Sequence, residues 1–486
     1  MTPEEIARAN QFREGFALVD YAEVGLPVFR LTIEGITTVQ RVLPTIHEFV
    51  MRCLALGETR EDEIARMLGL REDLVRAAIN ALVADGYVTR QANGLDTHLF
   101  ELSTLGDARL EIERMEIPQE EMLVIDYDGI RRMPIRLSST NLFRSAELKR
   151  SGAIEIRPYP ADPPSIEALS IPDVTRVVRR QSGEDFRRTI LALKRIVRRN
   201  NIYREAVALV FKAERGDEVQ VAFAIDGKVS DQHERAFAEH GGPKKMGFLK
   251  SIIETNATRQ LERLIGKETI KYFPDKNELI SLRKAEADAE ADIRNTFSLA
   301  QQGKKNSPAK IAFAVAQDSL ASVAKYLSAY AIRPMNCYEQ KSLLMDALDQ
   351  AQHRLYICTS GLQPSLLNGF VLRQIDLLIE SGVKVQIEVP QVPVERGRDD
   401  HRYDPGKELA KRSVGQEPIL TIGPKRQLFC LIKDSDLAVI SNRPFFGDPF
   451  SRSSFMFVSG AVIRDSEVVN QLTQKLLQPS RSKSGQ

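Results

Sequence analysis

The stretch Arg426–Asn442, RQLFCLIKDSDLAVISN, decides the fold of the C-terminal part of the chain. It contains two apolar runs of strand length, Leu428–Ile432 and Leu437–Ile440. Asp434 lies between the two runs, and aspartate is one of the residues that favour tight turns. The stretch therefore predicts a strand, a turn and a second strand.

The residues before this stretch extend the pattern to an α/β unit. RLYICTS (354–360) and VKVQIEVP (383–390) are apolar runs of strand length, and residues 365–382 between them have helical periodicity and end at Gly382. A strand, a helix and a strand in succession predict a right-handed crossover that makes the two strands parallel.

This order of elements resembles the phospholipase D superfamily, which includes lipases and nucleases. GVKVQIEV, DSDLAVISN and FVSGAVIRDSEVVNQL are similar to that family's pattern, and the resemblance covers residues 338–475. PFFGDPFSRSS (444–454) is similar to the loop that follows the active-site strand in bacterial members. The resemblance implies a phospholipase D-like domain, and bacterial members often carry an N-terminal winged helix.

The family signature is His-x-Lys-x4-Asp followed by a Gly/Ser and Asn pair. In the family, the histidine attacks phosphorus and the lysine neutralises the phosphoryl oxygens. Here Asp434 matches and Ser441 and Asn442 partly match, but Gln427 stands at the histidine position and Phe429 at the lysine position. The family also needs two signatures per active site, and the chain shows one. We therefore expect a degenerate site without catalytic residues, used for binding or assembly.

Residues 24–104 have the element order of a winged helix-turn-helix. A strand pattern in GLPVFRLTIEG precedes three helical patterns, and two strand patterns follow around an Asn-Gly turn. The phrase EIARMLGLREDLVRAAINALVADGYV resembles that family, whose third helix enters the major groove of DNA. The resemblance implies DNA contacts from Arg71, Arg76, Asn80 and Arg90, and the helical pattern predicts Leu74, Ala78 and Leu82 on the inward face. The acidic Glu72 and Asp73 reduce the net positive charge of this helix. The alternative is therefore that the winged helix binds a protein partner.

Pro172–Arg204 is the one strongly charged segment, with ten Lys or Arg against three acids. Within it, FRRTILALKRIVRR (186–199) predicts an amphipathic helix with an apolar stripe at Phe186, Ile190, Leu193 and Val197. Its basic face would attract polyanions. That face consists of Arg187, Arg188, Lys194, Arg195, Arg198 and Arg199. The alternative is that this face is only solvated, and that acidic residues elsewhere, such as those near residue 290, balance its positive charge.

The whole sequence predicts a multidomain α/β protein: a winged helix-turn-helix (1–104), strands and a linker (105–171), a central α+β region of basic helix, β-hairpin and helices (172–332), and the phospholipase D-like α/β domain (333–486). AVALVFKAERGDEVQVAFAIDG (206–227) predicts the hairpin, and residues 277–305 predict a long polar helix.

The bulk properties exclude several classes of protein. The net charge of the 486 residues is +2, and the four cysteines and six histidines lack metal-ligand spacing, so no metal or cofactor is expected. No apolar run of membrane-spanning length and no signal sequence is found, so we expect a cytoplasmic protein without a membrane partner.

These observations predict a non-catalytic DNA-binding or scaffold component of a bacterial DNA-processing or antiphage defence system, by analogy with the resembled families. Its expected partners are nucleic acid, a helicase or a nuclease, and a second copy in a homodimer. One alternative is a phospholipase D-like nuclease that acts as a dimer with non-standard residues, such as His401 or His353 with Asp399 and Asp400. The other alternative is a ligand-responsive transcription regulator.

Overall fold

The computed structural model describes residues 1–41, 43–93, 97–111, 115–137, 142–182, 189–246, 257–302, 307–390, 404–415, 417–447 and 455–477. The protein is mixed α/β, and the described residues form seventeen α-helices and twenty strands in four sheets. No described helix has both the length and the apolar character needed to cross a bilayer.

The helices are α1 Pro3–Ala9, α2 Thr45–Ala55, α3 Glu61–Leu68, α4 Glu72–Ala84, α5 Thr104–Glu111, α6 Ser145–Ser151, α7 Ile171–Ser182, α8 Asp231–Glu239, α9 Gly242–Lys245, α10 Ala257–Ile265, α11 Lys267–Ile270, α12 Lys276–Gln302, α13 Pro308–Ala329, α14 Glu339–Gln350, α15 Gly369–Glu380, α16 Pro405–Ala410 and α17 Ser466–Leu477.

The strands are β1 Phe12–Arg13, β2 Phe16–Arg41, β3 Val88–Asn93, β4 Thr97–Leu102, β5 Met115–Asp128, β6 Met133–Ile135, β7 Leu142–Phe143, β8 Ile154–Glu155, β9 Ile190–Ala213, β10 Val219–Ile225, β11 Lys228–Val229, β12 Ile332–Pro334, β13 Arg354–Cys358, β14 Lys384–Val389, β15 Ser413–Val414, β16 Glu417–Pro418, β17 Leu420–Ile422, β18 Phe429–Lys433, β19 Leu437–Ser441 and β20 Gly460–Ile463.

A nine-stranded sheet has the long strand β2 at its centre. Six strands follow one another in the order β11-β10-β9-β2-β5-β6, and the short strands β1, β7 and β8 pair with β2 or β9 beside this path. At one end it narrows to three strands, which we call the arm: residues 31–41 of β2, 115–125 of β5 and 190–199 of β9. One face of the arm packs on α7 through an apolar core that includes Leu31, Ile33 and Val174. The strands of this sheet come from the three predicted segments 1–104, 105–171 and 172–332. The boundaries of these segments remain predictions.

The predicted basic helix at 186–199 is wrong, because Ile190 onward is strand β9, paired antiparallel with β2. The register with β2 shifts three times between Ile190 and Arg199, so β9 carries an extra residue about every third position. These bulges bring Ile190, Leu193 and Ile196 to the α7 face. A spacing of three imitates helical periodicity, and this explains the error.

Three helices (α2, α3 and α4) and the β3–β4 hairpin follow in the predicted order, and we call α2 through α5 with β3 and β4 the tip unit. The tip unit lies between β2 and β5 in the chain, so it is inserted at the end of the arm. Leu74 is 43% exposed and Val75 is fully buried, so the predicted inward position of Leu74 is wrong. The buried residues of α4 are Val75, Ala78, Ile79 and Leu82, which follow the three- and four-residue spacing of one helix face.

The elements between residues 332 and 477, which we call the C-terminal unit, include a seven-stranded sheet in the order β12-β20-β19-β18-β13-β14-β17. The parallel pairing of β13 and β14 and the β18–β19 hairpin confirm the predicted strands. The β9–β10 hairpin is also confirmed, and the predicted polar helix is α12, which packs against α13. One apolar core joins the face of the nine-stranded sheet at Leu209 and Phe211 to the C-terminal sheet at Tyr356 and Ile440.

Candidate functional site

Four strand ends meet at one edge of the C-terminal sheet. Strands β13 and β14 are parallel and end there, at Cys358 and Val389. Strand β18 is antiparallel to β13, so it begins at the same edge with Phe429, and β19 ends there at Ser441, the register partner of Phe429. This site edge is where the degenerate signature residues Gln427, Phe429, Ser441 and Asn442 lie. In open α/β sheets, ligands bind outside the carboxyl ends of the parallel strands.

The site edge has neither a nucleophile nor a free cation at the signature positions. Phe429 is buried at 7% exposure and lines a recess with Cys358, Thr359 and Glu388 that has no room for a water molecule. Gln427 is exposed, and its side-chain oxygen accepts a hydrogen bond from the Gln260 amide. An amide is a poor nucleophile and a phenyl ring cannot neutralise a phosphate, so these two residues cannot perform the family's chemistry.

An ion pair closes the recess from the side of β14. Arg426 Nε lies 2.9 Å from Glu388 Oε1, and the Tyr356 hydroxyl donates to Glu388 Oε2 at 3.1 Å. Burial and the nearby Cys358 and Glu388 raise the pKa of Tyr356, which therefore stays protonated and acts as a donor. Gly423 leaves room for this arrangement, because a Cβ at this position would displace the Glu388 carboxylate. The charge of Arg426 is thus already neutralised by a protein carboxylate.

Ser441 and Asn442 have structural partners. The Ser441 hydroxyl oxygen accepts the Arg443 backbone N–H at 3.0 Å. The Asn442 amide donates to the Phe457 carbonyl at 2.7 Å and accepts from the Ser459 backbone N–H at 2.9 Å. Ser441 therefore fixes the turn that leaves β19, and Asn442 fixes the segment that enters β20.

Asp434 lies in the β18–β19 turn at the opposite edge of the sheet, with a left-handed φ of 48°. Its carboxylate accepts the backbone N–H groups of Gln352, His353 and Arg354 at 2.7–3.0 Å. Burial acts to raise the pKa of Asp434, but these three donors outweigh it and lower the pKa. Asp434 therefore fixes the start of β13, and His353 lies with it, at the far edge from Gln427. His401, Asp399 and Asp400 lie outside the described residues.

In the tip unit, acids engage two of the arginines predicted to contact DNA. Arg71 is 2.6 Å from Asp73, and Arg76 is 2.6 Å from Glu61. Arg90 lies over the Phe100 ring at 5.5 Å, and Asn80 is exposed. Exposed ion pairs of this kind are worth little and open readily, so all four side chains remain accessible to a ligand.

The arm carries four of the six basic residues predicted from 186–199. Lys194 contacts Glu120, and Arg195 lies 2.8 Å from Glu34 across the strands. Arg198 and Arg199 are exposed and form no ion pair with any described residue. Arg187 and Arg188 lie outside the described residues. Residues 190–202 of β9 pair with β2 alone, so no described strand covers the other edge of this strand.

Arg195 and Arg198 lie on the face of the arm that α7 leaves open. Their register partners are Glu34 and Thr32, which alternate with the core residues Leu31 and Ile33. Arg199 is in register with Leu31 and so lies on the α7 side of the strand. Arg198 and Arg199, which form no ion pair with any described residue, therefore lie on opposite faces of the arm beside one edge of β9.

A buried cluster that the sequence analysis missed joins Ser230, His233 and Asp128. Asp128 is about a hundred positions from the other two in the chain, and a Ser-x-x-His spacing alone is no signal. Elsewhere among the described residues, no group of three or more His, Cys, Asp or Glu side chains could hold a metal ion.

No protein-family model and no curated protein matches the sequence. Among solved structures, the archaeal chromatin protein TrmBL2, described as showing a novel mode of DNA binding, is similar at 19% identity and a TM-score of 0.22, over 33% of this chain and 57% of that one. Phosphatidylserine synthase from Haemophilus influenzae Rd KW20 is similar at 13% identity and a TM-score of 0.19, over 39% of this chain and 50% of that one. The chain thus spans about half the length of each, and these TM-scores are too low to identify a shared fold.

Proposed function

We propose that this chain is a DNA-binding protein without phosphodiesterase activity, in which the tip unit is a winged helix-turn-helix and the C-terminal unit is a degenerate phospholipase D-like domain. The observation that carries the proposal is that Arg198 and Arg199, on the arm that bears the tip unit, are exposed and have no ion-pair partner among the described residues. Guanidinium groups without protein partners are available to phosphates, and phosphate contacts dominate the affinity of proteins for DNA.

The site edge supports binding without cleavage. The buried Phe429 and the Glu388–Arg426 ion pair occupy the place where a phosphodiester would have to meet a nucleophile and a cation. We infer that the C-terminal unit serves assembly: it would dock a partner such as a helicase or nuclease, or a second copy of this chain.

The basic edge also has a purely structural explanation. Lysine and arginine on an open strand edge prevent it from pairing with other sheets. The two explanations differ in what replacement of the arginines does. Loss of phosphate contacts weakens DNA binding, whereas loss of edge protection causes self-association that size-exclusion chromatography detects.

The test measures binding of a fluorescent DNA duplex to the full chain across a range of salt concentrations. We expect the affinity to fall steeply with salt, and Arg198→Ala/Arg199→Ala to reduce the slope of log K against log salt by about 2, since each phosphate contact contributes about 0.9. Lys271→Ala is the control, because it removes an exposed cation that directly follows α11 and is paired with Glu268. Binding that is absent, independent of salt or unchanged in the double variant would refute the proposal.

The finer proposal is that the protein belongs to a bacterial DNA-processing or antiphage defence system, and it rests on the resemblance of the two units alone. The test compares phage plating efficiency on cells with the intact gene set and on cells that lack this gene. Equal plating for a broad phage panel, with unchanged processing of cellular DNA, would contradict this assignment and leave the DNA-binding proposal standing.

A further inference from the structure

Ser230, His233 and Asp128 form a continuous hydrogen-bonded chain. The Ser230 hydroxyl lies 2.7 Å from His233 Nδ1, and His233 Nε2 lies 2.8 Å from Asp128 Oδ2. Asp128 ends strand β5, whereas Ser230 immediately precedes α8 and His233 lies in its first turn. His233 and Asp128 are 4% and 3% exposed, and Ser230 is half-buried. The serine is therefore the end of the chain that faces outward.

The partners of Asp128 determine which histidine nitrogen carries the proton. Asp128 Oδ1 accepts the backbone N–H groups of Ile130 and Arg131, both at 2.9 Å. Burial acts to raise the pKa of Asp128, but His233 and these two donors outweigh it and lower the pKa. The ionised carboxylate must accept a proton from His233 Nε2. His233 Nδ1 is then a lone pair that accepts the Ser230 O–H, which is the arrangement a general base requires.

The start of α8 supplies donors beside the serine. The Ser230 carbonyl accepts the N–H groups of His233 and Glu234, but its hydroxyl does not cap the helix. The first-turn N–H groups of Asp231 and Gln232 have no acceptor among the described residues. Two free amides at the positive end of a nine-residue helix, next to a hydroxyl held by histidine, can stabilise an oxyanion.

A pocket of about 600 Å³ lies between β10 and α8, and its lining begins one residue after Ser230, without Ser230, His233 or Asp128 themselves. Asp231, the residue after the serine, lines it, with Val219, Val221 and Phe237 as apolar wall and Arg235 and Lys244 among its charged groups. The volume suits a small organic molecule with an apolar part.

We propose that Ser230, His233 and Asp128 are the catalytic residues of a serine hydrolase that cleaves small carboxylic esters. This activity is separate from DNA binding and uses the other end of the nine-stranded sheet. Ser230 is the nucleophile, His233 the general base and Asp128 the group that orients the imidazole.

In the first half of the reaction, Ser230 Oγ attacks the ester carbonyl carbon while His233 Nδ1 takes the serine proton. The amides of Asp231 and Gln232 hold the oxyanion. The bond from the carbonyl carbon to the alcohol oxygen then breaks, and that oxygen receives the proton from Nδ1, which leaves an acyl-serine.

In the second half, a water molecule attacks the acyl-serine and gives a proton to His233 Nδ1. The bond to Ser230 Oγ breaks and the serine oxygen takes that proton back. The sum is one ester and one water converted into one carboxylic acid and one alcohol, with the protein unchanged.

The test treats the full chain with a fluorophosphonate probe, which labels activated serines, and identifies the labelled peptide by mass spectrometry. We expect one label at Ser230, none in Ser230→Ala, and labelling slowed by about 10²-fold or more in His233→Ala. Ser328→Ala is the matched control, because its hydroxyl donates to the Lys325 carbonyl and contacts no histidine. Hydrolysis of p-nitrophenyl acetate should fall to the background rate in Ser230→Ala and be unchanged in Ser328→Ala.

Wild-type protein that carries no label at Ser230 would overturn the proposal, and the three residues would then be a structural link between β5 and α8. Equal labelling in wild type and His233→Ala would overturn it as well. Because His233→Ala removes a buried side chain, circular dichroism must show that the variant is folded. If it is not, Asp128→Asn takes its place, since it keeps the shape but favours the wrong histidine tautomer, and labelling must slow there too.

Discussion

The Arg443 guanidinium forms an ion pair with the Asp20 carboxylate, and this pair joins the C-terminal unit to the central strand β2. The Asp20 side chain is 2% exposed, and its second oxygen accepts the Met456 backbone N–H at 2.8 Å. Strand β2 has a register shift between Leu18 and Asp20, so a bulge directs this carboxylate toward the C-terminal unit. The two sheets are therefore held by charge as well as by their shared apolar core.

Replacement of Asp20 by Asn should destabilise the protein, because it leaves the Arg443 charge without its counterion. Breaking a buried pair costs about 3–5 kcal/mol, and we expect about 3 kcal/mol because the Arg443 side chain remains 26% exposed. Urea unfolding followed by circular dichroism measures this, since the chain contains no tryptophan. Glu48→Gln, which breaks an exposed pair with Arg52, should change the free energy of unfolding by less than about 1 kcal/mol. Equal effects of the two variants would contradict the buried link.

Glu339 should make stability depend on acid pH. Burial acts to raise its pKa, but Arg283 and Arg333 outweigh burial and lower the pKa from 4.5 to about 2. The folded pKa is below the unfolded one, so this stabilisation is present above pH 4.5 and is lost as the pH falls toward 2. The shift corresponds to about 3 kcal/mol.

Glu339→Gln tests this. We expect the variant to be less stable than wild type at pH 7 and to lose less stability between pH 4.5 and 2, by the same urea measurement. Glu268→Gln is the control, because Glu268 forms an exposed pair with Lys271. Parallel pH curves for wild type and Glu339→Gln would show that Arg283 and Arg333 do not hold this carboxylate in its charged form.

Introducing the histidine and lysine of the phospholipase D signature at the site edge should not create phosphodiesterase activity. Phe429→Lys places an ammonium group in a recess without room for water and beside Arg426, so we expect a loss of about 3 kcal/mol or more. Gln427→His should be neutral within about 0.5 kcal/mol, because Gln427 is exposed. Neither variant, nor the double variant, should hydrolyse bis(p-nitrophenyl) phosphate. A stable, active double variant would show that the site edge is open to substrate.

Substitutions at two neighbouring residues of β9 test whether this segment is a strand or a helix. Ile196 packs toward α7, whereas Val197 is an extra residue of a bulge and is 50% exposed. Ile196→Asp should therefore cost about 2 kcal/mol or more, and Val197→Asp less than about 0.5 kcal/mol. A helix with the predicted apolar stripe would give the reverse order. Thermal unfolding of the two variants decides between them.

The same segment shows where sequence reasoning succeeds and fails. Strands β13, β14, β18 and β19 were predictable because they are short apolar runs with turn residues between them. Strand β9 was not, because its bulges arise from pairing with β2, about 160 positions away, and leave a spacing of three in the sequence. Local pattern cannot distinguish that spacing from a helix.

The candidate sites divide in the same way. Gln427 and Phe429 were singled out by the signature spacing, and in the structure both lie at the site edge. Asp434 could not be assigned its role, because its three amide partners come from the start of β13. The cluster of Ser230, His233 and Asp128 could not be predicted, because it depends on β5 and α8 meeting in space.

The buried face of α4 was predicted with Leu74 where the structure has Val75. A strict four-residue spacing drifts around a helix, because a helical turn has 3.6 residues.

The two chain connections of the tip unit have a mechanical consequence. The neighbours of the tip unit in the chain are β2 and β5, which are hydrogen-bonded to each other up to the pair Arg41 and Met115. A unit joined to two paired strands rotates less freely than a unit on one tether, because the rotation twists the two strands against each other. Torque applied by a bound molecule at the tip would thus be transmitted along β2 toward Asp20 and the ion pair that it forms with the C-terminal unit.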